Sequence, residues 1–95
     1  MGPPLRTTFW HMQRRDFLLL RTGQPAVLSC ERLFMRYVDA QMNGTRARLF
    51  ESLARDLDGV TAVRLTDTSW LSRDDLRQEL DAVLCAFSER GGRIA

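Results

Sequence analysis

Lysine is absent from this chain, and several residues with specific chemistry are scarce. All 14 basic residues are arginine, and the 95 residues include one histidine, two cysteines and three prolines. A high-GC coding sequence produces arginine in place of lysine, so we interpret this bias as one of nucleotide composition. With His11 as the single histidine, neither a metal centre nor a catalytic triad is expected.

The two cysteines, Cys30 and Cys85, do not have the spacing of a disulfide framework or of a zinc-ligand set. Two free thiols are typical of a reducing compartment, so we expect a cytoplasmic protein. No apolar run approaches the ~18 residues of a membrane span, and no glycine-rich phosphate loop is present. These absences predict a protein that is not an enzyme and has no cofactor, metal or membrane partner.

One short segment, Gln13–Leu19, resembles the twin-arginine export motif of bacterial signal peptides. The match consists of four residues: Arg14, Arg15, Phe17 and Leu18. A signal peptide needs an apolar stretch of ~7–15 residues, whereas Phe17–Leu20 has four residues and is followed by Arg21. We therefore interpret Phe17–Leu20 as a buried strand and expect no export.

The rest of the composition is that of a globular domain. Hydrophobic residues make up 44% of the chain and charged residues 27%, which argues against intrinsic disorder. The length allows one domain. We expect a flexible tail over residues 1–12, because Gly2-Pro3-Pro4 disfavours regular structure, and a single compact α+β domain over residues 13–95.

Hydrophobic periodicity predicts a β-β-α-β-α order, with Arg93-Ile94 as a candidate fourth strand. The predicted strands are Asp16–Arg21, Ala26–Cys30 and Val60–Thr66, and the predicted helices are Thr45–Asp58 and Arg73–Arg90. Thr45 and Ser72 are the expected N-caps, with Asp75 completing a capping box. Two helices on one face of a small mixed sheet form a two-layer sandwich.

Residues 31–42 have two interpretations. Leu33, Met35 and Tyr37 alternate with polar residues, which favours continuation of the second strand to Val38. The same segment also has helical spacing and good helix formers. In that alternative a helix ends at Asn43-Gly44.

The segment Cys30–Arg36 has the Cys-x5-Arg spacing seen in phosphatases with a cysteine nucleophile. That resemblance implies a loop whose backbone N–H groups hold an oxyanion beside an ionised thiol. The five intervening residues are bulky and include no glycine. We therefore interpret Cys30 as a structural, buried cysteine.

Positive charge is concentrated towards the N-terminus, since residues 1–36 carry a net charge of +4 and residues 37–95 carry −2. This asymmetry predicts a partner surface around the first hairpin, with four candidate residues: Arg14, Arg15, Arg32 and Arg36. Asp67, Thr68 and Trp70 follow the third strand, where ligands of α/β proteins often bind. Trp70 is either a platform for a ligand or a side chain that seals the core.

The apolar first strand suggests that both faces of the sheet are covered, which motivates a homodimer. We expect a small domain that acts through protein–protein contacts and self-associates. The alternative is an accessory protein that binds an anionic ligand or nucleic acid through the basic N-terminal hairpin, although no named nucleic-acid motif is present.

Overall fold

The computed structural model describes residues 12–95, which form five strands and three helices. The strands are β1 Met12–Arg14, β2 Leu18–Arg21, β3 Ala26–Ser29, β4 Ala62–Thr66 and β5 Arg93–Ile94. The helices are α1 Cys30–Asn43, α2 Arg46–Asp56 and α3 Asp74–Glu89, and a 3-10 helix, Thr68–Ser72, precedes α3. The predicted α+β class is confirmed, with one more helix and one more strand than the sequence suggested.

The sheet has the order β1-β2-β3-β4-β5. Its first three strands are antiparallel neighbours, whereas β4 pairs with β3 and β5 pairs with β4 in parallel. The antiparallel hairpin, the parallel pair across the helical crossover and the closing strand are as predicted. Strand β1 was not predicted, and it takes Met12 out of the predicted tail; residues 1–11 lie outside the described part of the chain.

Residues 30–43 are a helix, so the favoured interpretation of a strand to Val38 is wrong and the helical alternative is confirmed. The burial pattern gives the physical reason. A strand would place Leu33, Met35 and Tyr37 on one face, but Met35 is 60% exposed while the other two are fully buried. The buried positions of α1 instead recur at helical spacing: Cys30, Leu33, Tyr37 and Ala40.

Both ends of α1 have local causes. At its start, the Ser29 hydroxyl accepts a hydrogen bond from the Arg32 N–H at 3.2 Å, which satisfies one of the free donors of the first turn. At its end, Gly44 adopts a left-handed conformation with φ of 69°. The strand therefore ends at Ser29, one residue before the predicted Cys30.

The structure confirms the predicted N-cap position of α2 and corrects that of α3. Thr45 is the N-cap residue of α2, but its side chain makes no capping hydrogen bond. Ser72 belongs to the 3-10 helix, so α3 begins one residue later with Arg73 at its N-cap. Because Arg73 and not Ser72 is the N-cap residue of α3, the predicted capping box of Ser72 with Asp75 does not form.

The core lies between one face of the sheet and the helices. Residues paired in the sheet share a face, so Leu18 and Leu28 lie on the same side. Both belong to the buried cluster together with residues of all three helices, among them Leu33, Leu53 and Leu80. This arrangement confirms helices packed on the sheet, and it leaves the opposite face for other contacts.

Candidate functional site

The four candidate arginines of the predicted basic surface lie around one groove. The groove has a volume of about 550 Å³ and lies between the β1–β2 turn and helix α1. Arg14 ends strand β1 and Arg15 begins the turn after it. Arg32 and Arg36 are one helical turn apart on α1 and so share a side of it. The acidic residues Asp16 and Glu31 also line this groove.

Two of these arginines have structural contacts. The Arg15 guanidinium donates hydrogen bonds to the backbone carbonyls of Asp56 and, at 2.9 Å, of Asp58. The Arg36 guanidinium lies 5.1 Å from the centre of the Phe17 ring, in cation–π geometry. These contacts hold the β1–β2 turn against α1 and the end of α2, so Arg15 and Arg36 shape the groove.

The β1–β2 turn is also held in place by a backbone hydrogen bond to helix α2. The Phe17 N–H donates to the Asp56 carboxylate at 2.8 Å, and the Phe17 side chain is buried. Arg14 and Arg32, in contrast, are exposed at the groove. They are the two candidate arginines best placed to meet a ligand or partner.

The second candidate group, which comprises Asp67, Thr68 and Trp70, lies beyond the end of β4. Asp67 has a left-handed backbone, with φ of 57°, and its carboxylate accepts a hydrogen bond from the Ser29 hydroxyl at 3.4 Å. Thr68 begins the 3-10 helix. Because Ser29 lines the arginine groove, Asp67 adjoins the groove at one edge.

Trp70 packs against the core. It is half-buried, and its ring lies 5.2 Å from the Phe34 ring in a tilted arrangement. Trp70 also contacts the buried cluster. Of the two sequence interpretations, the structure therefore supports the one in which Trp70 seals the core.

Cys30 is unsuited to the nucleophile chemistry suggested by its spacing to Arg36. The side chain is fully buried at the first position of α1. Burial, with a smaller effect from the Asp67 carboxylate, raises the pKa of the Cys30 thiol to about 11. Residues 30–36 form continuous helix, so the phosphate-holding loop of the cysteine phosphatases is not formed. Cys85, on α3, is exposed.

Sequence reasoning missed a polar cluster between α1 and α3. The Tyr37 hydroxyl donates to the Asp75 carboxylate at 2.7 Å, and Gln41 donates to the Tyr37 hydroxyl at 3.0 Å. The hydrogen bond from Tyr37 holds the pKa of Asp75 at about 2, with further help from the Leu76 N–H and from Arg73. Tyr37 and Gln41 are four residues apart, which places them on the same side of a helix. Because a strand was favoured for this segment, this spacing was not used to predict the cluster.

Sequence reasoning also missed an exposed apolar stripe on α1. Met35, Val38 and Met42 lie at helical spacing on the side away from the core, and Met42 is 81% exposed. They make up three of the four exposed large hydrophobic residues in the described part of the chain, the other being Ile94. We call these three residues the α1 stripe.

Within residues 12–95, no group of three or more His, Cys, Asp or Glu side chains is arranged to hold a metal ion. His11 lies outside this range. None of the helices described here combines the length and apolar character needed to cross a bilayer.

No family model matches the chain, no curated protein matches it, and no solved structure matches it. Its class is therefore defined by its own geometry: a small α+β domain with three helices on a five-stranded mixed sheet. Its distinguishing surfaces are the arginine groove and the α1 stripe.

Proposed function

We propose that this protein is a non-catalytic interaction domain that acts through protein–protein contacts and self-associates through the α1 stripe. The observation that carries the proposal is the exposure of Met35, Val38 and Met42 on one helix face. Contiguous exposed apolar surface is unfavourable in water and commonly marks a protein contact. Methionine is well suited to such contacts because its side chain is flexible and polarisable.

The order of residues in the stripe supports a second copy of this chain as the partner. A twofold interface requires a patch that is complementary to itself. The sequence Met35–Val38–Met42 is nearly symmetric about Val38, with spacings of three and four residues. Two antiparallel α1 helices would therefore place Met35 against Met42 of the second copy, with Val38 near the twofold axis.

The proposal includes a cytoplasmic location. Both cysteines are unpaired, which suits a reducing compartment. Phe17 and Leu18, the apolar part of the twin-arginine-like segment, are buried in the core. This segment thus has a structural role within the folded domain.

A concentration series by size-exclusion chromatography with light scattering tests self-association. We expect the mass of the wild-type protein to rise with concentration from 10.9 kDa towards twice that value. The double variant Met35→Glu/Met42→Glu should stay at the monomer mass, because burying two carboxylates per copy is strongly unfavourable. Both methionines are exposed in the monomer, so its fold and circular dichroism spectrum should not change.

A matched control is Gln78→Glu, which adds a carboxylate to an exposed position of α3. This variant should associate like the wild type. A wild-type mass that stays at 10.9 kDa up to millimolar concentration would refute self-association, as would a double variant that associates as strongly as the control.

A second candidate function is the binding of an anionic ligand or nucleic acid in the arginine groove. It is supported by the position of the exposed Arg14 and Arg32 on one groove. The carboxylates of Asp16 and Glu31 at the same groove weaken its attraction for anions. Fluorescence anisotropy with a labelled oligothymidylate tests this candidate, which requires binding that weakens with salt and with Arg32→Ala.

A further inference from the structure

The sheet face opposite the helices carries an ordered row of side chains. The strand register aligns Arg14 with Leu19, Leu19 with Val27, and Val27 with Arg64. Directly paired residues point to the same face, so this row crosses four strands in the order Arg-Leu-Val-Arg. We call this surface the outer sheet face.

The burial pattern shows that this row is separate from the core. Leu19 and Val27 are only half-buried, and neither belongs to the core cluster or packs against it. Their neighbours in sequence, Leu18 and Leu28, are fully buried members of that cluster. The two aliphatic side chains therefore form the centre of a second surface.

Further arginines flank this centre. Arg21 directly follows Leu20, which packs against the core, and Arg93 directly precedes Ile94, which pairs with the core residue Val63. Because side chains alternate along a strand, both arginines point to the outer sheet face, and both are exposed. Among the described strand residues on the outer sheet face, none is acidic; the acidic residues Asp16 and Glu31 line the groove at its Arg14 side. Asp67 follows β4 at one end of the sheet, and its carboxylate accepts a hydrogen bond from the Ser29 hydroxyl.

The charge of this face determines what it can bind. A second copy packed face to face would bring four arginines of each copy together. Asp16 and Glu31, at the groove beside Arg14, are only two carboxylates per copy, so net like-charge repulsion disfavours this arrangement. The occupant must instead carry negative charge. This separates the outer sheet face from the α1 stripe, which is uncharged and self-complementary.

The aliphatic centre distinguishes between anionic partners. Proteins that bind single-stranded nucleic acid on a sheet present aromatic side chains on which bases stack. The described strands place Leu19 and Val27 at the centre of this face and no aromatic residue. Aliphatic side chains between arginines match a polypeptide that has apolar residues along its middle and carboxylates along both sides.

The dimensions fit a helix. Strands are about 4.8 Å apart, so the Cα atoms of Arg14 and Arg64 are separated by roughly 14 Å across the row. An α-helix with its side chains is about 10–12 Å wide. A helix lying along β2 and β3 would contact Leu19 and Val27 with its apolar stripe and place carboxylates near arginines on each side.

We propose that the outer sheet face binds an acidic amphipathic helix of a partner protein. This inference extends the proposed function, an interaction domain, to a second surface and names the chemistry of the partner. The α1 stripe and the outer sheet face have no residue in common, but Met35 lines the same groove as Leu19 and Val27. The test of this proposal therefore includes a variant that changes the stripe outside that groove.

Fluorescence anisotropy with three labelled probes tests the proposal on the full chain. The first probe is a 16-residue peptide of leucine and glutamate in amphipathic helical order. The second is a peptide of the same composition in scrambled order, and the third is a 16-nucleotide oligothymidylate. The amphipathic peptide should bind at least about tenfold more tightly than either of the others, and its binding should weaken as salt is added.

Two matched variants locate the binding site. Arg64→Glu, on the outer sheet face, should weaken binding of the amphipathic peptide by about tenfold or more. Arg77→Glu makes the same charge change at an exposed position of α3 and should leave the affinity unchanged. The single variant Met42→Glu changes the α1 stripe at a position that does not line the groove shared by Arg14, Leu19 and Val27. It should also bind the peptide, which keeps this test independent of self-association.

Several outcomes would overturn the proposal. Failure of the amphipathic peptide to bind would do so, as would equal loss of affinity in Arg64→Glu and Arg77→Glu. If the scrambled peptide bound as tightly as the amphipathic one, the outer sheet face would be a non-specific basic patch that does not recognise a helix. Tighter, Arg64-dependent binding of the oligothymidylate would assign the face to nucleic acid.

Discussion

At the scale of single residues, the most consequential polar contact is the one from Tyr37 to Asp75. Tyr37 is a fully buried residue of α1, and its hydroxyl donates a hydrogen bond to the Asp75 carboxylate on α3. Arg73 and Gln41 also bond to this carboxylate, at 3.1 Å and 3.3 Å. The cluster therefore joins the first and last helices through side-chain hydrogen bonds.

The pKa of Asp75 gives this cluster a pH dependence. Its pKa is about 2 in the folded protein against an ordinary value of 3.8, chiefly because of the Tyr37 hydroxyl. A carboxyl whose pKa falls on folding stabilises the fold above its unfolded pKa. That contribution is complete above about pH 4 and is lost as the pH falls through about 2.

We expect Tyr37→Phe to lower the free energy of unfolding by about 1 kcal/mol at neutral pH, because it removes one hydrogen bond and keeps the ring. The difference from the wild type should narrow as the pH falls from 4 towards 2. Urea denaturation across this pH range measures both effects. Asp81→Asn, at an exposed carboxylate of α3, is the control and should show no such convergence; a Tyr37→Phe difference that is constant with pH would contradict the account.

At the scale of elements, helix α1 shows what sequence patterns can and cannot decide. Helices α2 and α3 were predicted, as Thr45–Asp58 and Arg73–Arg90, from their apolar stripes, because each has one buried and one polar face. Helix α1 has apolar residues on both faces, with Tyr37 buried and Met35 exposed. Its hydrophobic pattern therefore fits a strand as well as a helix. The exposed apolar residues that led to the wrong prediction of a strand belong to the α1 stripe.

The end of α1 depends on the left-handed conformation of Gly44. A Cβ at this position would meet no atom within 4 Å, so the cost of a substitution comes from the backbone alone. We expect Gly44→Ala to lower the free energy of unfolding by about 1 kcal/mol, the typical penalty for a non-glycine residue in this conformation. Gly44→Asn should cost less, because asparagine tolerates it better.

Thermal or urea denaturation of the two Gly44 variants provides the measurement. The order of stability should be wild type, then Gly44→Asn, then Gly44→Ala. Equal stability of all three proteins would mean that α1 does not end as described. Loss of stability in Gly44→Asn equal to that in Gly44→Ala would point to a cause other than backbone conformation.

At the scale of the whole molecule, the distribution of charge over the folded surface differs from its distribution along the sequence. The sequence places the excess of arginine before residue 37, and four of those arginines line the groove: Arg14, Arg15, Arg32 and Arg36. The outer sheet face, however, combines Arg14 and Arg21 with Arg64 and Arg93 from the later, net acidic part. A parallel pairing of β3 with β4 brings these distant segments together, and no local pattern reveals it.

The sequence was sufficient to predict the packing of helices on a sheet, whereas it was not sufficient to predict the candidate binding surfaces. Alternating and helical apolar patterns identify what is buried, and so they predicted the sheet and two of its helices. Binding surfaces consist of residues such as Leu19, Val27 and Met42, whose neighbours are known only once register and helix orientation are fixed. The candidates Arg14 and Arg32 were found because charge is visible in the sequence, but their groove depends on the position of α1.

The central claim is that two copies associate through the α1 stripe with Val38 near a twofold axis. Oxidative crosslinking of Val38→Cys, made in a Cys85→Ser background, tests it most directly, because a disulfide requires Cα atoms about 4.4–6.8 Å apart. Native Cys30 is fully buried and should not interfere.

Mild oxidation of this variant at micromolar concentration should convert most of the protein to a dimer on a non-reducing gel. Gln78→Cys in the same background, on the exposed face of α3, should remain monomeric. Rapid and near-complete crosslinking at Val38→Cys alone is the result that the account predicts; equal, slow crosslinking of both variants would contradict it.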